Sequence, residues 1–283
     1  MSENELRALL TRHGFRFSKA MGQNFLVDDN VPVRIADGAG VTRDSHVLEI
    51  GPGIGALTSR LCERAGFVTA VELDLRLAPI LAETLGAYAN VEVVQGDALR
   101  MDLGALMAAR TGVSDLRVCA NLPYNITTPI LQKLLQSGVF RSITVMVQRE
   151  VARRICAAPG TSDYGAFSVF AQYHTAPEVL FDVPPECFVP RPQVTSSVVR
   201  LDVRENAPPE VGDASVFFRV VRAAFAQRRK TLVNALCAVF GGQYSKEELA
   251  AIVRAAGIAE LARGETLGIP EFARLARLLE TRG

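Results

Sequence analysis

Paired cysteines, clustered histidines and long apolar runs are all missing from this 283-residue chain. Cys62, Cys119, Cys156, Cys187 and Cys237 stand singly, with no C-x-x-C pair and no histidine at ligand spacing. That excludes the spacings of a structural zinc site and leaves thiols expected to be reduced and mostly buried. His13, His46 and His174 are equally isolated, so no metal is expected. No segment approaches the roughly 18 apolar residues of a membrane span. Glu3, Glu5, Arg7 and Arg12 interrupt the stretch from Met1 to Phe15, where a secretion signal needs an apolar run. Internal repeats and low-complexity tracts are absent too, which excludes a solenoid. The expectation is a cytoplasmic, monomeric protein without membrane attachment.

What the chain does have is 49% hydrophobic residues, enough at this length for one large domain with a smaller appendage. The net charge of +1 says little, but its distribution says more, because charge acts on a polyanion within a screening length of about 8 Å. Arg219, Arg222, Arg228, Arg229, Lys230 and Lys246 fall between Asp213 and Glu247 with no carboxylate among them. Arg7, Arg12, His13, Arg16 and Lys19 form a second cluster. Each run fits either a polyanion-binding patch or a solvated helix face.

From His46 to Gln148 short apolar runs alternate with segments of helical period. Strands are expected over His46–Ile50, Phe67–Leu73, Val91–Val94, Leu116–Ala120 and Ile143–Val147, with helices over Ala56–Ala65, Leu75–Leu85, Leu103–Ala109 and Pro129–Leu135. Such β-α units build a doubly wound, largely parallel α/β sheet. Tyr173–Phe181 and Ser196–Val203 then read as extended segments at the sheet edge, flanking the proline-rich loop Pro184–Pro192. Glu205–Glu210, with two prolines, is the best linker, and beyond it the pattern is helical only. The expected domains are therefore 1–205 and 206–283.

The run Glu49-Ile50-Gly51-Pro52-Gly53-Ile54-Gly55 follows a strand and opens a helix, so the backbone can turn sharply and approach a nucleoside cofactor. Glu72 ends the next strand, at about the 20-residue spacing from Gly51 where an acid accepts both ribose hydroxyls. Asp97 follows the third strand and can accept from an adenine amino group, or simply cap the next helix. The loop alone also fits a structural turn or a nicotinamide-dependent oxidoreductase.

The fourth strand ends in Ala120-Asn121-Leu122-Pro123-Tyr124-Asn125. Here the pattern points to methylation of the exocyclic amine of adenine. That amine is a poor nucleophile, because its lone pair is delocalised into the ring. Two acceptors aimed at its hydrogens draw the nitrogen toward a pyramidal shape: the Asn121 side-chain oxygen and a backbone carbonyl near Leu122 or Pro123. Pro123 stiffens this step, and Tyr124 offers a ring for the base to stack on. A sulfonium donor is activated enough to need no strong general base, so positioning dominates. The bland alternative is a strand-ending turn.

With these residues the sequence resembles the KsgA-type family of small-subunit ribosomal RNA adenine dimethyltransferases over nearly its whole length. Gly22-Gln23-Asn24-Phe25-Leu26 resembles the family's entry motif, Phe188-Val189-Pro190-Arg191-Pro192-Gln193-Val194-Thr195-Ser196 its F-x-P-x-P-x-V-x-S loop, and Phe225–Leu232 its basic segment. The resemblance implies a Rossmann-like methyltransferase sheet with a small C-terminal all-helical domain, and S-adenosylmethionine as cofactor. It implies cofactor contacts from Gln23, Asn24, Leu26, Gly51, Gly53, Glu72, Leu73, Asp97, Ala98 and Asn121. Phe188 would stack on the target base opposite Tyr124, and Arg222, Arg228, Arg229 and Lys230 would hold RNA. The implied reaction is dimethylation of N6 on two adjacent adenines in the 3'-terminal hairpin loop of 16S ribosomal RNA, within the immature small subunit. Two alternatives stay open: a large-subunit methyltransferase of the antibiotic-resistance type, and a mainly non-catalytic ribosome assembly factor.

Overall fold

Residues buried on both faces of a sheet read as continuous apolar runs, which is why the strands of this protein are legible as blocks rather than alternations. The computed structural model describes residues 2–17, 22–109, 115–206, 208, 211–227 and 229–280. In chain order come α1 (Glu3–Arg12), β1 (Phe25–Leu26), α2 (Asn30–Gly38), β2 (Ser45–Ile50), α3 (Ala56–Cys62), β3 (Phe67–Glu72), α4 (Ala78–Leu85), β4 (Val91–Gln95), α5 (Leu103–Ala108), β5 (Asp115–Asn121), α6 (Thr127–Ser137) and β6 (Ser142–Gln148). There follow α7 (Arg149–Cys156), α8 (Ala166–His174), β7 (Thr175–Val183), β8 (Phe188–Val189), β9 (Ser196–Val203), α9 (Ala214–Ala226), α10 (Leu232–Phe240), α11 (Lys246–Ala255) and α12 (Ile269–Glu280).

Seven strands form one sheet in the order β4-β3-β2-β5-β6-β9-β7, and β1 pairs with β8 separately. The pairs β2–β3, β3–β4, β2–β5 and β5–β6 are parallel, while β6–β9 is antiparallel. From β2 the chain first winds outward through β3 and β4, then returns to lay β5 on the other side of β2. Between β2 and β5 the connections leave in opposite directions, and a doubly wound sheet opens a crevice at that point beyond its strand ends. Every residue of β2 is buried, whereas β4 at one edge is partly exposed. Pro177 lies on the other edge strand, β7, where a missing N–H is tolerated.

Two local readings change. The helix expected over Leu75–Leu85 begins with a 3-10 turn, Leu75–Leu77, capped by the Asp74 carboxylate on the Arg76 N–H at 3.1 Å. The extended segment expected from Tyr173 begins instead at Thr175, because Tyr173 and His174 close α8. Tyr173 is 8% exposed and its ring meets Phe217 and Phe218 at centroid distances of 5.4 and 4.9 Å.

That packing also corrects the domain boundary. One compact unit runs to Ala152 and resumes over Ala176–Val203; the other holds Arg153–Thr175 together with the chain from Arg204 on. The expected division at 205/206 therefore misses residues 153–175. Their apolar side chains, Tyr164, Val169 and Tyr173, share one core with Phe217, Leu232, Leu249 and Phe272. Tyr164 also donates to the Leu267 carbonyl at 2.9 Å, and Gly160 N–H to Glu265 O at 2.7 Å.

Among the described residues no helix is long and apolar enough to cross a membrane, and no group of three His, Cys, Asp or Glu side chains could hold a metal. All five cysteines are free; Cys62 and Cys119 are buried and the other three half-buried.

Phe217→Ala removes a ring that is 0% exposed and is expected to lower the unfolding free energy by about 3–5 kcal/mol. Native-state hydrogen exchange should register the loss across residues 153–175 as well as α9–α12. Unchanged protection in 153–175 would contradict the shared core.

Candidate functional site

The crevice beyond β2 and β5 is a pocket whose walls come from the ends of four strands. Gly51 and Gly53 carry φ of +68° and +61°, a region that side chains with a Cβ enter only under strain. A Cβ on Gly53 would also stand 3.1 Å from the Phe25 ring. The loop is tied back by Gly51 N–H to Val71 O and by Gly55 N–H to Pro52 O, both at 2.9 Å. What remains is a length of bare backbone facing the pocket.

Four acids line the pocket, and three of them are in different electrostatic states. Glu72, 6% exposed, accepts Asp74 N–H at 2.8 Å and Gly53 N–H at 3.3 Å. Burial raises its pKa above the ordinary value, and those backbone bonds pull the other way. Asp74 accepts Arg76 Nε at 2.8 Å, Arg76 Nη2 at 2.6 Å and Gln23 Nε2 at 2.8 Å. The Arg76 guanidinium holds this carboxyl below its usual range. Glu49, 1% exposed, lies behind the glycine loop with Oε2 unpartnered among the described residues. Burial pushes its carboxyl up to about 8, with the charge of Glu72 adding to the effect. Asp97, half-buried, accepts Leu99 N–H at 2.9 Å within its own turn and lines the pocket, while the cap of the following helix α5 is Asp102 rather than Asp97.

On the opposite wall Asn121 is the last residue of β5, paired with Met146, whose carbonyl takes Leu122 N–H at 3.2 Å. The Pro123 carbonyl already accepts Ile126 N–H and the Thr127 hydroxyl, each at 3.2 Å. Of the two backbone acceptors considered, Leu122 O is therefore the one left for a ligand. Tyr124 is half-buried, and its hydroxyl stands 2.7 Å from that of Ser196.

The pocket brings together Gln23, Asn24, Leu26, Gly51, Gly53, Glu72, Leu73, Asp97, Ala98, Asn121, Leu122, Pro123 and Tyr124. Phe188 is not among its lining residues, which corrects the expectation of a second stacking ring. It is 1% exposed and packs with Leu26, Ile35, Met146 and Val198, while β8 pairs it with Leu26 across β1. A ring so enclosed braces the entry segment and leaves the half-buried Tyr124 as the aromatic wall beside Asn121. Asp74, Phe25 and Ser196 are what sequence reasoning missed. Asp74 sits two residues past Glu72, and Ser196 ends the F-x-P-x-P-x-V-x-S loop; neither position signals its partner.

Arg222, Arg229 and Lys230 are exposed and belong to the other unit; Arg228 lies outside the described residues. The N-terminal cluster is different in kind. Arg7 pairs with Glu3 at 2.7 Å, and Arg12 and His13 both pair with Glu83, which neutralises much of it. Lys19 is outside the described residues.

A protein-family model described as "Ribosomal RNA adenine dimethylase" matches residues 14–277. Ribosomal RNA small subunit methyltransferase A of Geobacillus thermodenitrificans is 49% identical over 276 residues, 96% of this chain and 94% of that protein. The protein of the same name from Alkaliphilus oremlandii is 46% identical over 279 residues, 98% and 97% of the two chains. The crystal structure of a dimethyladenosine transferase from Plasmodium falciparum shares the fold, with a TM-score of 0.78 at 23% identity over 92% of this chain and 98% of that one. A crystal structure of a 23S rRNA methyltransferase gives a TM-score of 0.68 at 28% identity over 90% and 99%. The sheet is thus the Rossmann-like methyltransferase sheet, and the oxidoreductase alternative left open by the glycine loop falls away.

Glu49 supplies a test of the pocket's electrostatics. Its carboxyl stays neutral in the fold up to about pH 8 but ionises in the unfolded chain near its ordinary value of 4.5. The unfolded state therefore loses its proton first, and folding becomes less favourable as pH rises through that window. Glu49→Gln should gain thermal stability relative to the wild type between about pH 5 and about pH 8. Parallel melting curves across that range would show that Glu49 is ionised in the fold.

Proposed function

The chain belongs to the ribosomal RNA adenine dimethylase family, and from that premise we propose that it converts two adjacent adenines of the 3'-terminal hairpin loop of small-subunit ribosomal RNA to N6,N6-dimethyladenine. The coarser activity, methylation of ribosomal RNA adenine with S-adenosylmethionine, follows from the family itself. Our reading adds the position, the dimethyl product and the setting: a cytoplasmic monomer acting on the immature small subunit. The relatives named for the small subunit support the choice of subunit.

The observation that carries the chemical reading is the meeting of Asn121, Leu122 and Tyr124 with Gly51, Glu72 and Asp97 in one pocket. When bound, S-adenosylmethionine supplies a methyl group activated on a sulfonium. The chain's residues do the rest. Glu72 accepts the ribose hydroxyls with the oxygen capacity left by its two N–H bonds, and the glycine loop lets the backbone close on the methionine part. Asp97 accepts from the cofactor's adenine through the carboxylate oxygen not engaged with Leu99, beside Leu73 and Ala98. Asn24 and Leu26 complete the wall. On the acceptor side, the Asn121 amide oxygen and the Leu122 carbonyl take the two hydrogens of the target amine and hold its nitrogen toward the methyl group. The target base, turned out of its stack, rests on Tyr124. Arg222, Arg228, Arg229 and Lys230 hold the RNA backbone.

The large-subunit alternative has one specific support, the 28% identical 23S rRNA methyltransferase. Methyl incorporation into separated immature subunits decides between them: label confined to the large subunit would overturn our assignment.

Asn121→Ala is expected to abolish methyl transfer while binding to the subunit persists; near-normal transfer would remove Asn121 from its acceptor role. Replacing Arg229 and Lys230 together by Ala should weaken RNA binding and reduce the slope of log affinity against log salt by roughly 1 to 2, as lost phosphate contacts require. An unchanged slope would return this segment to a solvated surface.

A further inference from the structure

The hydroxyl of Tyr124 meets that of Ser196 at 2.7 Å. Ser196 is 0% exposed and opens β9, where its partner across the antiparallel ladder is Gln148 of β6. One residue upstream, the Thr195 carbonyl accepts Arg149 N–H at 3.0 Å, so the backbone at this point is fixed from both sides. β6 in turn pairs with β5, placing Met146 opposite Asn121. Ser196 is thus referenced to Asn121 through two strand ladders, a route separate from the turn that carries Tyr124.

We propose that Ser196 is a positioning residue for methyl transfer: its hydroxyl fixes where the ring of Tyr124 stands relative to Asn121, and with it the plane of the target base. The proposal rests on reading Tyr124 as the surface on which that base stacks. A tyrosine after a strand end has two side-chain torsions to settle. Its hydroxyl lies on the axis of the second, so a hydrogen bond there stops the ring from swinging about the first. A base stacked on the ring then inherits a fixed height over the Asn121 amide oxygen and the Leu122 carbonyl. Such precision matters, because a misplacement of about 1 Å can cost about a hundredfold in rate.

Ser196 has no other structural task for that hydroxyl. It makes no further hydrogen bond among the described residues, and the ladder around it is satisfied by main-chain groups. A hydroxyl enclosed to this degree needs a partner, and Tyr124 supplies it. Burial raises the Tyr124 pKa above its ordinary value, which keeps the phenol protonated and able to share that bond. The bond also gives the last position of the F-x-P-x-P-x-V-x-S loop a role: it reaches back to the aromatic residue that follows Asn121-Leu122-Pro123.

Single-turnover methyl transfer to immature small subunits at saturating S-adenosylmethionine tests this with Ser196→Ala, Tyr124→Phe, the double variant, Ser196→Thr and Tyr124→Ala. Removing one hydrogen bond should slow transfer about fivefold in Ser196→Ala and in Tyr124→Phe, with donor affinity by calorimetry unchanged. The double variant should be no slower than either single, since both delete the same bond, and Ser196→Thr should recover most of the rate. Multiplying losses in the double variant would overturn the proposal, because Ser196 would then act by some other path. Tyr124→Phe leaves no cavity and tests the bond even if Ser196→Ala folds poorly. If Tyr124→Ala is inactive while Tyr124→Phe transfers at the wild-type rate, the positioning role alone is lost. If Tyr124→Ala is fully active, the stacking role of Tyr124 falls with it.

Discussion

The ladder between β2 and β5 sets the geometry on which the rest depends. These strands run parallel in register, Ser45 opposite Asp115 and Leu48 opposite Val118, yet their connections depart toward opposite edges of the sheet. The residues that follow their carboxyl ends, Gly51 on one side and Leu122 on the other, therefore face a common space. The far end of the ladder is pinned by polar groups. The Ser45 hydroxyl donates to Asp115 at 2.5 Å, and Arg117 Nε donates to the same carboxylate at 2.9 Å. Burial works against the Asp115 charge, but Arg117 and Ser45 outweigh it and hold its carboxyl below the ordinary value. The Ser45–Asp115 bond crosses from β2 to β5, while Arg117 partners the same carboxylate from two residues along β5.

Around the crevice, environment divides similar side chains into different tasks. Asp74 is held ionised by Arg76 and gathers Gln23 of the entry segment, while Glu49 one strand away is kept neutral by burial. Glu72 lies between these extremes, partly dehydrated but gripped by two backbone N–H groups. A pocket for a cationic sulfonium is consistent with such a wall. Arg76 extends the same network outward: its guanidinium lies 5.1 Å over the Phe15 ring and donates to Arg16 O at 3.3 Å. Phe15 and Arg16 are thereby tied to the turn that follows Glu72.

The two basic runs show how an identical sequence signal can have opposite physical outcomes. Arg12 and His13 find Glu83, seventy residues away in the chain, and are spent on structure. No carboxylate pairs with Arg222, Arg229 or Lys230 among the described residues, and all three stay exposed. Neither outcome is a property of the run itself. In the same unit, residues 153–175 join α9–α12 because an aromatic seam of Tyr173, Phe217 and Phe218 draws them there.

Local physics made much of this protein readable from its residues. Buried parallel strands need unbroken apolar runs, a turn against a nucleoside needs glycine, and a rigid acceptor pair needs Asn and Pro at a strand end. Those requirements act over a few neighbouring residues, so the alternating elements, the Gly51–Gly53 loop, Glu72, Asp97 and the Asn121–Tyr124 step were all visible. Tertiary structure alone decided the matters that hinge on pairing across long separations. It enclosed Phe188 against Leu26, released Leu122 O by engaging Pro123 O, joined Asp74 to Gln23, and set Ser196 against Tyr124. It also gave residues 153–175 to the helical unit. A side chain's type fixes what it can bond or bury, but its partner is fixed by which strands and helices the folded chain makes adjacent.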